Sequence, residues 1–217
     1  MRFPLTTGMR LLIWLLATAA TVGCVTPERT QRAALPIALA RELAPTALVT
    51  VEGVVTVGAG TFDEGFALQD ASGGIYVTRA TGTAVKIGER VRVGGRIVAP
   101  NNQAGIEPAV IVRLGTGVTP TPAEVKTGAV GSATEGWLIA VRGVVAGNVI
   151  DDPPWGCKVY LDDGSGPLLA FIATATRIDA RTLRAGQQLR VVGFSGRYER
   201  HTELLPRGPG DLTAVAD

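Results

Sequence analysis

The sequence repeats itself. Val49-Thr50-Val51-Glu52-Gly53-Val54-Val55 returns as Ile139-Ala140-Val141-Arg142-Gly143-Val144-Val145, and Leu68-Gln69-Asp70-Ala71-Ser72-Gly73 returns as Leu161-Asp162-Asp163-Gly164-Ser165-Gly166. Ile87-Gly88-Glu89-Arg90-Val91-Arg92-Val93-Gly94-Gly95 returns as Ala185-Gly186-Gln187-Gln188-Leu189-Arg190-Val191-Val192-Gly193. A chain written twice folds as two like units, each with its own interior. The offset between copies grows from 90 to 93 to 98 residues, so the second copy has longer connections before its second strand and after its third. Pro122-Ala123-Glu124-Val125 resembles a short turn leading into that copy.

Within each copy the apolar residues alternate, as in Arg90-Val91-Arg92-Val93, which is the period of a half-buried strand. The alternation predicts strands at 49–57, 66–70, 74–79, 90–98 and 106–114. In the second copy it predicts 137–148, 157–162, 167–173, 187–195 and 202–206, with an extension near Leu212. Asp70 to Gly74 and Asp162 to Gly166 read as hairpin turns, with Asp and Ser capping and Gly at positive φ. With 28 Gly, 13 Pro and 5% aromatics, turn-rich all-β structure is favoured over a helical bundle. Ala175 to Arg184 is expected to form a short helix facing Ile178 and Leu183 inward, capped by Gly186. Three strands, a connector and two more strands is the order of an OB-fold, a five-stranded Greek-key barrel. Gly53 and Gly143 suit a first strand that must bend sharply. The fold class is therefore all-β, two tandem OB-fold barrels, with a ten-stranded sandwich as the alternative.

The barrels are expected at 47–118 and 137–217, with 119–136 as a linker and 25–46 as a tether carrying a short helix before Pro45. Residues 1–24 read as an export signal: Arg2 and Arg10, then an apolar run from Leu11 to Val22, too short for a comfortable membrane span. Cys24 after Gly23 is the candidate lipidation site, although Thr21 stands where such sites usually have Leu; ordinary cleavage after Ala19 is the alternative. An acylated Cys24 would hold the protein on a membrane. Cys157 would then be the one free thiol, and with no nearby base it reads as a packed structural residue.

The phrases Val51 to Thr56, Phe66 to Val77 and Lys86 to Ile97 resemble bacterial exported OB-fold proteins, units found beside secreted nucleases and in periplasmic sensor regions. The resemblance covers residues 46 to 214. It implies a nucleic-acid-binding type of barrel and an exported or periplasmic location, but no particular activity.

OB-folds bind ligands across strands two and three, between the loops joining strands one-two and four-five. In the first copy that selects Tyr76, Arg79, Asn101 and Asn102; Phe66 is assigned to the core. In the second copy it selects Trp155, Arg197, Tyr198, Arg200 and His201. Leu169 stands where the first copy has Tyr76 and cannot stack, so the barrels are expected to differ as binders. Trp137 is expected to pack between the barrels. Without residues 1–24 the chain has 19 basic and 19 acidic side chains, which disfavours a strongly basic nucleic-acid clamp. Asp151, Asp152, Asp162 and Asp163 match no calcium loop, and His201 stands alone against the four ligands of structural zinc. No Ser, His and Asp grouping suggests catalysis, and no cofactor is indicated. The expectation is a non-enzymatic binding protein for single-stranded nucleic acid or an oligosaccharide, or else a cell-envelope module that docks a protein partner.

Overall fold

Alternation of buried and open residues along β1 (Leu48–Val57) sets the first barrel: Val49, Val51 and Val55 point inward, while Glu52 and Val54 lie outside. The computed structural model describes residues 33–215, so the export signal and Cys24 lie outside the described residues. Among the described residues no helix is long and apolar enough to cross a membrane.

The ring continues through β2 (Phe66–Gln69), β3 (Gly74–Val77), β4 (Glu89–Val98) and β5 (Gly105–Thr116). It closes in the order β1-β2-β3-β5-β4, with β4 returning antiparallel to β1. One pairing is parallel: Tyr76 lies opposite Gly105 and Val77 opposite Ile106. The second copy supplies β6 (Ala123–Glu124), β7 (Leu138–Val145), β8 (Ile150–Asp152), β9 (Gly156–Asp162), β10 (Leu168–Ala173), β11 (Gln188–Tyr198), β12 (His201–Leu205) and β13 (Leu212–Ala214). Strands β7-β9-β10-β12-β11 form the second ring, closed by β11 against β7. Again one pairing is parallel, Leu169 with Glu203 and Ala170 with Leu204. Two separate rings with this order are tandem OB-fold barrels, and the ten-stranded sandwich is excluded. Each ring has its own core, built around Phe66, Leu68, Ile75 and Ile106 in the first and Ile139, Leu161, Leu168 and Leu204 in the second.

Gly53 sits where β1 passes from β4 to β2, and a Cβ there would lie 2.8 Å from the Gln69 carbonyl oxygen. At Gly143 a Cβ would lie 3.1 Å from the Asp162 amide nitrogen. The strand one glycines thus permit the bend expected of them. The turn glycines behave differently in the two copies. Gly164 and Gly166 take φ +90° and +131°, but Gly73 and Gly74 are not at positive φ. Gly74 is small for another reason: a Cβ on it would fall 1.8 Å from the Gly136 carbonyl oxygen of the second unit.

The stretch 119–136, read from sequence as a linker, begins the second copy. The Leu35 amide donates to the Thr50 carbonyl at 2.8 Å, and the equivalent Val125 amide donates to the Ala140 carbonyl at 2.9 Å. The Ala38 amide donates to Ser72 Oγ at 3.1 Å, and the Gly128 amide to Ser165 Oγ at 2.9 Å. Each barrel therefore has a lead-in clasped by its own strand two-three turn. In the first copy the lead-in forms α1 (Ile37–Arg41), which buries Ile37 and Ala40 in the core. In the second it is a single 3₁₀ turn at Thr127–Ala129.

The helix expected over 175–184 is absent. Two 3₁₀ turns, Thr174–Thr176 and Ala180–Thr182, take its place. Arg177 at φ +58° interrupts any helix, and Asp179 caps the second turn by accepting from the Arg181 amide. Leu183 and Ile178 still pack on the core. Gly186, at φ +84°, donates to the Val145 carbonyl instead of ending a helix.

Two outcomes follow from these contacts. Gly136 has φ +88° and its Cβ would meet the Gly74 carbonyl oxygen at 2.1 Å, so Gly136→Ala should cost about 1–3 kcal/mol of stability, read by urea denaturation. At the clasp, Asp163 accepts from Ser165 and from Thr127 Oγ1. Those hydrogen bonds, Ser165 first, hold its carboxyl down at about 2 against the ordinary 3.8. A lowered carboxyl stabilises the fold above 3.8 and loses that contribution as pH falls through 2. Asp163→Asn should lower Tm at pH 7 and change it little at pH 2.

Candidate functional site

The surface on which an OB barrel usually holds a ligand is closed in barrel 1. All eight residues of β2 and β3 are buried, on both faces of the sheet. One face is the core and the other is covered by barrel 2. The Tyr76 ring packs on Phe194 of β11, centroids 5.7 Å apart, with Val57, Ala67, Phe62 and Leu205 around them. The Leu138 amide donates to Gln69 Oε1 at 2.9 Å in a buried contact. Glu135 joins the barrels: its carboxylate lies 3.1 Å from Arg41 Nη2, 2.8 Å from Arg197 Nε and 3.2 Å from the Ala104 amide. With two cations and an amide on it, the buried carboxylate is not left uncompensated.

This docking decides what the sequence-selected residues do. Tyr76 is only 8% exposed, and its hydroxyl donates to Asp63 Oδ1 at 2.5 Å. Burial, then the Asp63 hydrogen bond, pushes its phenol well above the ordinary range. It is an interface residue with no open ring face for a base. Arg197 likewise serves the interface, since its amide donates to Gln103 Oε1 at 2.8 Å and its guanidinium to Glu135. Asn101 and Asn102, at φ +52° and +64°, shape a loop that grips the β11–β12 hairpin through Glu199. Arg79 is exposed and reaches Glu107 at 3.5 Å, a solvated pair that contributes little. Trp137 lies half-buried between the second core and a hollow bordered by α1, as expected of a packing residue.

Barrel 2 keeps its face open. Val159 and Leu161 of β9 point inward, so Lys158 and Tyr160 point out; in β10, Leu169 and Phe171 do the same. Register aligns them in rows. Tyr160 lies opposite Leu169, which lies opposite Glu203 of β12; Lys158 lies opposite Phe171. β8 extends the sheet by setting Ile150 beside Lys158. Tyr160 is 41% exposed. Arg200 and His201 stand at one end of the face, where they border a hollow of about 280 Å³ with Tyr160 and Leu169. Trp155, 70% exposed, stands at the other end, next to the Ala173 end of β10. It therefore builds no common wall with Tyr198; the length of β10 separates them.

Sequence reasoning missed Tyr160, Phe171, Lys158 and Glu203. The signal for Tyr160 was present: with Val159 and Leu161 inward, the residue between them must face out. Aligning the copies on Tyr76 drew attention to Leu169, but the second copy carries its ring one strand earlier, where the first has Ala67.

Charge on this face is nearly balanced. Lys158 Nζ lies 2.7 Å from Asp152 Oδ2, and that hydrogen bond raises the ammonium above its ordinary value. Glu203 borders a second hollow, of about 200 Å³, between the barrels, together with Asp63, Asn101, Arg197 and Tyr198. Burial, only partly opposed by Lys158, pushes the Glu203 carboxyl up to about 7. Cys157 is half-buried with Sγ 3.9 Å from the Ile172 carbonyl, and burial followed by Asp151 and Asp179 raises its thiol. Such a thiol is a poor nucleophile. Among the described residues no three His, Cys, Asp or Glu side chains are grouped to hold a metal ion.

No family model matches the sequence, and no curated protein matches it. Among solved structures, the chain resembles the p204 HINb domain at 13% identity over 75% of this chain and 95% of that one, with a TM-score of 0.38. A murine DNA binding protein bound with double-stranded DNA shows 8% identity over 77% and 97%, TM-score 0.39. The single-stranded DNA binding protein from Thermus aquaticus shows 14% over 80% and 95%, TM-score 0.29. At these scores the overlaps carry no weight for function. The barrels are identified by their own strand pairing.

Glu203 gives a stability test of this geometry. A carboxyl raised to about 7 favours the fold fully below 4.5, where it is neutral in both folded and unfolded chain, and loses that contribution as pH rises through 7. Glu203→Gln should therefore raise Tm at pH 8 and leave it nearly unchanged at pH 4.5.

Proposed function

We propose that this chain is a binding protein whose one open OB face, on barrel 2, takes single-stranded nucleic acid. The observation that carries the reading is the pair of outward rings, Tyr160 on β9 and Phe171 on β10, on adjacent strands of the surface where OB-folds hold extended ligands. Bases stack on such rings whatever their sequence, each contact contributing about 1–3 kcal/mol. Arg200 and His201 at the rim supply donors for phosphate oxygens. The face pairs no nucleophile with a base, so binding without chemistry is the reading it supports. The leader at 1–24 supports an exported protein, anchored through an acylated Cys24; mass spectrometry of the mature N-terminus tests that part.

A second reading has its own observation. Because Asp152 neutralises Lys158, the centre of the face is aromatic and close to uncharged, which also suits an oligosaccharide.

Fluorescence anisotropy with a labelled oligothymidylate at low salt separates these readings. The wild-type protein should bind with an affinity that falls as salt rises. Tyr160→Ala and Phe171→Ala should each weaken binding by about 5- to 150-fold, while Arg79→Ala leaves it unchanged. Absence of binding at tens of micromolar protein would remove the nucleic-acid reading.

A further inference from the structure

Glu203 occupies an unusual place on the proposed binding surface. The parallel pairing of β12 with β10 sets it in line with Leu169 and Tyr160, so its carboxylate is the third group across the face. Its other side borders the hollow between the barrels, where solvent or a ligand reaches it. It has no hydrogen bond or ion pair of its own among the described residues, and the charged groups around it are engaged elsewhere. From β8 and β9, Asp152 and Lys158 hold each other at 2.7 Å. From β11, Arg197 is held by Glu135 at 2.8 Å. From barrel 1, Asp63 accepts from the Tyr76 hydroxyl and from the Gly65 amide. Tyr160 and Tyr198 present neutral rings, and His201 begins the same strand two residues away.

We propose that barrel 2 takes up one proton at Glu203 when it binds a single-stranded nucleic acid, so that the face holds its ligand in mildly acidic solution and releases it in alkaline solution. This rests on the nucleic-acid reading above. A strand stacked on Tyr160 and Phe171 brings phosphate charge toward Glu203 and removes water from it. Both changes oppose the ionised carboxylate and neither opposes the neutral acid. The proton comes from solvent and adds to a carboxylate oxygen, and no other bond is made or broken. Burial already brings this carboxyl up to about 7 in the free protein, so little further bias is needed near neutrality. If only the neutral form binds, the apparent Kd at pH 8 should be about tenfold that at pH 6.

The experiment measures anisotropy with a labelled oligothymidylate at pH 6 and pH 8, at one ionic strength, on the mature chain and three variants. Wild-type protein should bind about tenfold more weakly at pH 8. Glu203→Gln, close to isosteric, should bind equally at both pH values and as tightly as wild type at pH 6. His201→Gln should keep the slope, and Tyr160→Ala should be weak at both pH values. Calorimetry in two buffers of different ionisation enthalpy should show uptake of about one proton at pH 8, lost in Glu203→Gln. A slope that survives Glu203→Gln, a slope that vanishes in His201→Gln, or a wild type without slope would each overturn the inference while leaving the nucleic-acid reading intact. No binding by any protein at either pH would remove both.

Discussion

The arrangement depends on two glycines meeting. Gly74 opens β3 of barrel 1 and Gly136 precedes β7 of barrel 2, and each would drive a Cβ into the other's carbonyl oxygen. Only because both lack that atom does the second barrel settle close enough for Leu138 to reach Gln69 and for Phe194 to lie on Tyr76. Interiors at this density tolerate no added methyl without shifting backbone. Everything functional follows from that closeness, because it closes the usual ligand surface of barrel 1 and leaves that of barrel 2 to solvent.

Around this contact the polar groups are chosen to be satisfied. Glu135 is buried, and a lone carboxylate there would be costly, yet it receives Arg41 from α1, Arg197 from β11 and the Ala104 amide. Arg207 spans the interface too, donating to the Thr56 carbonyl while held by Asp211. Arg197, selected from sequence as a ligand contact, is thereby used as a fastener. Glu203 is the exception, a mostly buried carboxyl without a hydrogen bond or ion pair among the described residues, and burial pushes it toward neutrality beside the hollow between the barrels.

Much of the fold was legible because duplication shows each strand twice. Alternation placed Val49, Val51 and Val55 inside, and Gly53 and Gly143 marked the bend in strand one of each barrel. Periodicity distinguishes inside from outside, but it does not say whether an outside is wet. Ala67, Gln69 and Tyr76 have the composition of an ordinary barrel surface, and only the partner barrel makes them interior. The helix expected near Ile178 failed because Asp179 prefers to cap a tight turn, a local preference that the apolar spacing conceals. The Tyr160 ring was hidden because alignment on Tyr76 points to Leu169 of β10, while the ring sits on β9. Sequence equivalence between copies does not carry equivalence of environment once one copy covers the other.

The contact between barrels is head-to-tail: barrel 2 gives its β11 side and receives the strand two-three surface of barrel 1, so the two use different patches. Each unit also brings its own clasped lead-in. A heterologous contact of this kind propagates when units are added. A third tandem unit docked by the same rule would cap the second as the second caps the first. Lengthening such a stack adds height but never valence; however many storeys are built, only the roof stays uncovered.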